Sequence, residues 1–121
     1  MDIDENKQNK VAADSNYEQH YVLALLHYLW KIWGGLEPPS NHVCHWDGVK
    51  CNNGEDVTSI DFSHKSLTGA LPLEIGSLQN LLSLRLGNNE LDGTIPIELG
   101  NLLKLKELDL GNNTFHGTIP S

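Results

Sequence analysis

The clearest hydrophobic pattern in the chain is a unit that recurs every 24 residues from residue 57 onward. A unit of this length cannot bury its apolar face alone, so a fixed period of this kind is typical of a solenoid, in which units stack on their neighbours. Seven positions keep their residue class in three copies: Val57, Leu81 and Leu105; Ile60, Leu84 and Leu108; Phe62, Leu86 and Leu110; Leu67, Leu91 and Phe115; Gly69, Gly93 and Gly117; Leu71, Ile95 and Ile119; Pro72, Pro96 and Pro120.

Each unit contains a short segment in which apolar and polar residues alternate, and this pattern predicts a half-buried strand. Strands at the same place in successive units lie parallel and form one continuous face. Leu84 and Leu86 of the second unit, like their equivalents in the other units, point inward, and the polar positions beside and after them form the candidate partner-binding face. That face comprises Ser59, Asp61, Ser63, His64, Ser83, Arg85, Asn88, Glu107 and Asp109.

Two asparagines follow the strands at equivalent positions, Asn89 and Asn113. Buried in a turn, an asparagine side chain satisfies backbone groups that a tight bend leaves unpaired, so we assign both a structural role. The first unit has Lys65 at this position, which predicts a turn built differently.

The chain upstream of the repeats predicts a helix at residues 16–33, because apolar residues from Tyr21 to Trp33 recur in steps of three and four. Ser15 and Glu18 fit a capping box at its start, and Gly34-Gly35 would end it. The apolar face is expected to comprise Tyr21, Val22, Leu25, Leu26, Leu29, Ile32 and Trp33.

The segment at residues 43–52 carries both cysteines, Cys44 and Cys51, and Asn53-Gly54 is a strong hairpin signal after it. Val49–Cys51 and Val57–Phe62 are expected to pair across this turn. We therefore divide the chain into a disordered acidic tail at 1–14, a cap at 15–56 that covers the end of the stack, and repeats at 57–121, of which the last is incomplete.

The composition narrows the class of partner. Sixteen acidic and eight basic residues give a formal net charge of −8, and the basic residues are scattered, which argues against nucleic acid and against an anionic membrane surface. The longest apolar run, residues 21–33, is too short to span a bilayer, and no secretory signal is visible at the start.

The two cysteines leave two alternatives. They can form one disulfide, or Cys44 and Cys51 can join His42 and His45 in a zinc site. Zinc is disfavoured because structural zinc sites use two separated pairs of ligands, whereas these four lie within ten residues. No other metal or cofactor site is expected, and no catalytic motif is found, since the six histidines are spread out and no phosphate-binding loop is present.

Two further features concern single residues. Asp61, Arg85 and Asp109 occupy one outward row, which predicts a carboxylate–guanidinium–carboxylate ladder across three repeats. Asn112-Asn113-Thr114 is an N-x-T sequon, so a glycan on Asn112 is reasonable if the chain is secreted.

The repeat resembles the plant-specific leucine-rich repeat, as seen in LLSLRLGNNELDGTIP at 81–96 and LKELDLGNNTFHGTIP at 105–120. The upstream segment CHWDGVKC at 44–51, preceded by LALLHYLWKIW, resembles the N-terminal cap of plant leucine-rich-repeat receptors. The resemblance covers residues 20–121.

The resemblance implies a right-handed solenoid with parallel strands on the concave face, turns and 3₁₀ segments on the convex face, and a helical cap in which Cys44 pairs with Cys51. It also implies an extracellular or cell-surface, non-catalytic module of a receptor-like kinase or receptor-like protein. Its partner would be a protein or peptide ligand or a co-receptor.

The expected architecture of the family also contains more repeats, a C-terminal cap, a membrane span and often a kinase domain, and this sequence shows none of them. Two alternatives therefore stay open. The first is a free-standing secreted leucine-rich-repeat protein such as a polygalacturonase inhibitor, and the second is a truncated gene product with no independent role.

Overall fold

A computed structural model describes residues 15–32, 42–53 and 55–117 of the chain. The predictions for the tail at 1–14, for Trp33, for Gly34-Gly35 and for the end of the last repeat at 118–121 lie outside these residues, as does the side chain of Ser15 in the expected capping box.

The cap begins with helix α1, Ser15–Trp30, which ends three residues before the predicted boundary. Lys31 adopts a left-handed conformation with φ 51°, and its N–H donates to the His27 carbonyl oxygen at 2.8 Å. This geometry closes the helix in the way that a C-terminal glycine usually does, so the helix ends before Gly34. The reversal at Lys31 places Ile32 back in the core.

The face that α1 buries differs from the predicted one. The residues covered by the repeats and the cap loop are Gln19, Val22, Leu23, Leu26 and Trp30. Tyr21 and Leu29, which the apolar spacing assigned to the core, are 54% and 40% exposed. The helix is apolar around most of its circumference, so periodicity alone did not identify the buried side.

The cap loop contains a short 3₁₀ segment, Val43–His45, followed by strand β1, Val49–Asn52. Cys44 and Cys51 are joined by a disulfide with a Cα–Cα distance of 5.7 Å, which confirms the pairing that the resemblance implied. Strand β1 pairs antiparallel with β2, Asp56–Asp61, as the hairpin signal predicted.

The first sheet has the strand order β1–β2–β4–β6, in which β4 is Ser83–Arg85 and β6 is Glu107–Asp109. The three repeat strands are parallel and in register at 24 residues, with Ser59 opposite Ser83 and Ser83 opposite Glu107. The predicted parallel face is therefore present, and the antiparallel cap strand β1 forms one of its edges.

A second parallel sheet was not predicted. It contains β3, Thr68–Ala70, β5, Glu90–Thr94, and β7, Thr114–His116. Its pairs are 22 residues apart, as in Thr68 opposite Glu90, so these strands are shifted by two residues relative to the repeat. Strands of three to five residues carry too little alternation to be recognised from the sequence.

The core lies between the two sheets and two 3₁₀ segments on the convex side, Leu73–Ser77 and Ile97–Asn101. The inward residues of the first two repeat strands, such as Leu84, are fully buried. Leu108, the equivalent of Leu84 in the third repeat, is 42% exposed, because no described repeat packs against its outer side.

Asn89 closes the turn of its own repeat and also that of the repeat before it. Its Oδ1 accepts from the N–H groups of Lys65 and Leu67 at 2.9 and 3.0 Å. Its Nδ2 donates to carbonyl oxygens of Phe62 and Leu86, at 3.0 and 2.9 Å. The first repeat lacks an asparagine at position 65, and its turn is satisfied by the side chain of the next repeat.

Asn113 repeats this arrangement one unit later. Its Oδ1 accepts from the Leu91 N–H at 2.9 Å, and its Nδ2 donates to the carbonyl oxygens of Leu86 and Leu110. Both asparagines therefore connect successive repeats through buried or half-buried hydrogen bonds, which pins the strand face at a fixed spacing.

Candidate partner-binding face

The outward side of the first sheet presents its side chains in rows that cross the strands. One row contains Ser59, Ser83 and Glu107, and the next contains Asp61, Arg85 and Asp109. Both rows follow from the 24-residue register, because equivalent residues of stacked parallel strands lie about 4.8 Å apart. The residues predicted for this face are therefore neighbours in space.

Arg85 lies at the centre of the face and joins two carboxylates. Its Nη1 is 3.9 Å from Asp61 Oδ2, and its Nε is 3.8 Å from Glu107 Oε2. Glu107 is held by a second contact, since its Oε1 accepts a hydrogen bond of 2.9 Å from the Ser83 hydroxyl. The guanidinium thus connects three repeats.

The predicted ladder is wrong in its third member. Asp109 lies opposite Arg85, but the ion pairs that Arg85 makes among the described residues are with Asp61 and Glu107. The Asp109 carboxylate lies over Gly87, and its Oδ1 accepts from the Gly111 N–H at 3.0 Å.

Space above Gly87 permits this orientation of Asp109. A side chain at position 87 would place its Cβ 2.9 Å from Asp109 Oδ1, which is closer than a Cβ can approach. A larger residue at position 87 would force the Asp109 carboxylate to move.

Asp61 makes the same local turn as Asp109, since its Oδ1 accepts from the Ser63 N–H at 3.1 Å. Partial burial by itself would raise the pKa of Asp61. Hydrogen bonding by Ser63 and the positive charges of Arg85 and Lys65 outweigh that effect and lower the pKa below its ordinary value. Asp61 is therefore held as a carboxylate at the cap end of the face.

The face is hollowed next to the cap. A concavity of about 620 Å³ extends from the Asp47–Lys50 segment of the cap across β2 and β4 to Glu107 on β6. Its charged lining comprises Asp47, Lys50, Asp61, Lys65, Arg85 and Glu107. The strand alternation did not identify Asp47, Lys50 and Lys65, because they lie in the cap and in a turn; the predicted hairpin was the signal that could have placed the first two.

A ladder of side chains borders the other side of the face. The Asn112 Nδ2 donates to the Asn88 Oδ1 at 2.8 Å, and the Asn88 Nδ2 lies 3.2 Å from the His64 Nε2. All three residues have positive φ, between 55° and 60°. His64 and Asn88, predicted for the face, thus lie at its rim, where they are joined to the sequon asparagine Asn112, which is exposed.

Among residues 15–32, 42–53 and 55–117, no group of three or more His, Cys, Asp or Glu side chains is arranged to hold a metal ion. The zinc alternative is excluded for the two cysteines, because both sulfurs are used in the disulfide. No helix in the described part of the chain is long and apolar enough to cross a membrane.

The sequence profile of the family described as Leucine Rich Repeat matches residues 80–102 and 104–121. Among curated proteins, a probable LRR receptor-like serine/threonine-protein kinase of Arabidopsis thaliana is 39% identical over 85 residues, which are 66% of this chain and 9% of the relative. MDIS1-interacting receptor like kinase 1 of the same plant is 47% identical over 51 residues, 42% of this chain and 5% of the relative. The chain spans less than a tenth of the length of these relatives.

Solved structures agree with these sequence matches. The LRR ectodomain of the receptor kinase SOBIR1 from Arabidopsis thaliana superposes with a TM-score of 0.74 at 29% identity, over 88% of this chain and 60% of that one. The structure of PEPR1–AtPEP1 superposes with a TM-score of 0.71 at 34% identity, over 81% of this chain and 15% of that one.

Proposed function

We propose that this chain, which carries plant-type leucine-rich repeats and resembles the ectodomains of plant receptor kinases, is a non-catalytic recognition module. It binds a protein or a peptide through the outward face of its first sheet. The observation that carries the proposal is the continuous polar face, which extends from the cap strand to the third repeat with Arg85 at its centre.

Two physical features support this role. The side chains of the face are spaced by the repeat in two dimensions, which suits an extended partner. The buried asparagines and the disulfide-bearing cap hold the face in one geometry, so a partner would not have to order it on binding.

The class of partner follows by analogy with the similar structures. One of them contains PEPR1 with AtPEP1, another contains BIR3 with SERK2, and a third contains the HAESA ectodomain with an IDA peptide hormone. For this chain we propose a peptide ligand, a co-receptor, or both, at the cell surface or outside the cell, as the N-terminal part of a receptor ectodomain.

The division into parts belongs to the same proposal. Residues 1–14 are a tail, residues 15–56 form the cap, and residues 57–121 form the repeats. The glycan proposed for Asn112 would project from the rim of the face rather than from its centre, since Asn112 continues the row of His64 and Asn88.

A panel of plant receptor ectodomains and secreted peptides, screened against the immobilised chain, tests the function. Any partner found is measured again with the double variant Arg85→Glu/Asp109→Lys, and we expect its affinity to fall at least tenfold, since reversed charges across an interface repel. The matched control is Lys104→Glu/Asp92→Lys, which also reverses one positive and one negative charge, but at positions outside the face. Equal affinities for the two double variants would contradict the proposal.

Two experiments distinguish the proposed receptor ectodomain from the two alternatives, a free-standing polygalacturonase inhibitor and a truncated gene product. An inhibition assay with polygalacturonases checks the cell-wall inhibitor. Transcript sequence on both sides of this reading frame shows whether the repeat array continues toward a membrane span or stops, which separates a receptor from a small free-standing or truncated product.

A further inference from the structure

Arg85 combines a central position with hydrogen-bonding capacity that the described residues leave unused. It is the only arginine in the 121 residues, and its side chain is 47% exposed. Its two ion pairs, at 3.9 and 3.8 Å, are longer than the 2.7–2.9 Å or so of a charge-assisted hydrogen bond. Among the described residues no hydrogen bond to its guanidinium is formed, so the donor groups are oriented but not satisfied.

The concavity as a whole is balanced in charge, and two of its carboxylates, Asp61 and Glu107, lie 3.9 and 3.8 Å from the Arg85 guanidinium. The concavity is lined by three carboxylates, Asp47, Asp61 and Glu107, and by three cations, Lys50, Lys65 and Arg85. Three negative and three positive charges give a lining with no net charge, although the whole chain carries −8. Ser59 also lines the concavity, and its hydroxyl can donate to an anionic oxygen, whereas the Ser83 hydroxyl already donates to Glu107.

The position of Arg85 within the sheet indicates how a partner would approach it. The concavity crosses four strands, which corresponds to roughly 14 Å at the usual strand spacing, or about four extended residues. Arg85 lies on β4, the third of these four strands. A segment that fills the concavity therefore extends beyond Arg85 in both directions. A side chain within the segment, rather than the end of the chain, would then meet the guanidinium.

We propose that the partner segment is extended and is anchored by an acidic side chain, Asp or Glu, whose carboxylate binds the Arg85 guanidinium with both oxygens. The inference rests on the proposed function of the strand face and adds the chemistry of its ligand. Asp61 and Glu107 hold the guanidinium from either side, which reduces the entropy lost when the carboxylate binds.

The single arginine allows a direct test by NMR, because its Nε–H gives one cross peak in the ¹⁵N spectrum of the whole chain. The probe is the peptide acetyl-Gly-Ser-Glu-Ser-Gly amide, which carries one carboxylate and no charged ends. We expect a saturable shift of the Arg85 cross peak with a Kd on the order of 1 mM. The peptide with Gln in place of Glu should bind at least about fivefold more weakly, because it lacks the charge.

Two variants of Arg85 separate charge from geometry. Arg85→Gln should abolish the preference for the Glu peptide over the Gln peptide. Because this variant has no arginine cross peak, binding is followed by the shifts of the backbone amides of the face. Arg85→Lys keeps the charge and loses the planar fork, so it should retain part of the preference. Lys104→Gln removes one positive charge outside the lining of the concavity and should leave the preference intact.

Each contrary result has a separate meaning. Equal binding of the Glu and Gln peptides to the face would overturn the acidic anchor and leave the partner-binding face standing. Absence of any shift at Arg85 would overturn the anchor as well. The proposed function itself fails only if charge reversal on the face leaves partner affinity unchanged, which the peptide titration does not measure.

Discussion

The indole Nε1–H of Trp30 donates a hydrogen bond of 2.8 Å to the carbonyl oxygen of Ala70, and this bond joins the cap helix to the first strand of the second sheet. Trp30 is 2% exposed, and Ala70 lies in a strand that only the structure revealed. The polar contact of Trp30 could not be read from the sequence, because it joins residues that are far apart in the chain.

Replacing Trp30 with Phe should lower the free energy of unfolding by about 2–4 kcal/mol, because a cavity forms and the Ala70 carbonyl loses its partner. The control is Tyr28→Phe on the same helix, where the side chain is 77% exposed and the change should stay within about 0.5 kcal/mol. Urea denaturation measures the free energy of unfolding of both variants. Equal losses in the two variants would contradict a stabilising role for the Trp30–Ala70 hydrogen bond.

Asn89→Ala should lower the free energy of unfolding more than Asn113→Ala, the equivalent change in the next repeat. The Asn89 side chain is 8% exposed and serves the turns of two repeats, so its loss leaves several backbone groups unpaired. We expect a loss of about 3 kcal/mol or more, compared with about 1–2 kcal/mol for Asn113→Ala, where the site is more open to water. Asn101→Ala, an exposed position on the convex side, is the control. The order would be contradicted if Asn113→Ala cost as much as Asn89→Ala.

The Cys44–Cys51 disulfide closes a short loop with a sequence separation of seven residues. By the chain-entropy estimate, the double variant Cys44→Ser/Cys51→Ser should lose about 2.5 kcal/mol of stability. The midpoint of urea unfolding measures the loss. Intact mass checks the bond itself, since only the reduced protein should gain two alkyl groups; alkylation of the unreduced, denatured chain would show that the bond is absent.

The lowered pKa of Asp61 predicts a dependence of stability on pH. Because the folded state favours the carboxylate, Asp61 stabilises the protein above its ordinary pKa and loses that contribution as the pH falls through the lowered pKa of the folded state. The side chain is 47% exposed, so the effect should stay below about 1 kcal/mol.

Carbon-detected NMR titration measures the Asp61 pKa directly. Arg85→Gln should raise it, because one of the charges that lower it is removed. Lys104→Gln, which removes a cation that contacts Asn80 rather than Asp61, should leave the Asp61 pKa unchanged. An identical Asp61 pKa in the Arg85→Gln variant would mean that the ion pair contributes nothing.

Asn112 should carry one glycan when the chain is directed into the secretory pathway of a plant or yeast cell by an added leader. Its side chain is exposed at the rim of the face, and Thr114 supplies the hydroxyl that the sequon requires. Mass spectrometry before and after enzymatic removal of the glycan measures occupancy. Asn112→Gln should abolish it, whereas Asn88→Gln, the equivalent residue one repeat earlier but outside a sequon, should not. An unmodified wild-type chain would contradict the assignment.

The 24-residue period was enough to predict the parallel first sheet, its inward leucines and the residues that share its outward face. The reason is physical: in a solenoid each unit contacts mainly its neighbours, so a period in the sequence becomes a spacing in space. The hairpin after Cys51 was also predictable, because Asn53-Gly54 is a local turn signal.

Other features depended on contacts between residues far apart in the chain. The buried side of α1 was set by the shape of the first repeat, because the helix offered apolar residues on several sides. Arg85 pairs with Asp61 and Glu107, whereas the Asp109 carboxylate lies over Gly87 and accepts from the Gly111 N–H. The repeat pattern by itself determined which residues are neighbours on the strand face, whereas the tertiary structure decided which of those neighbours bind each other. That choice depends on distances and free space of a few ångströms, which a sequence period does not contain.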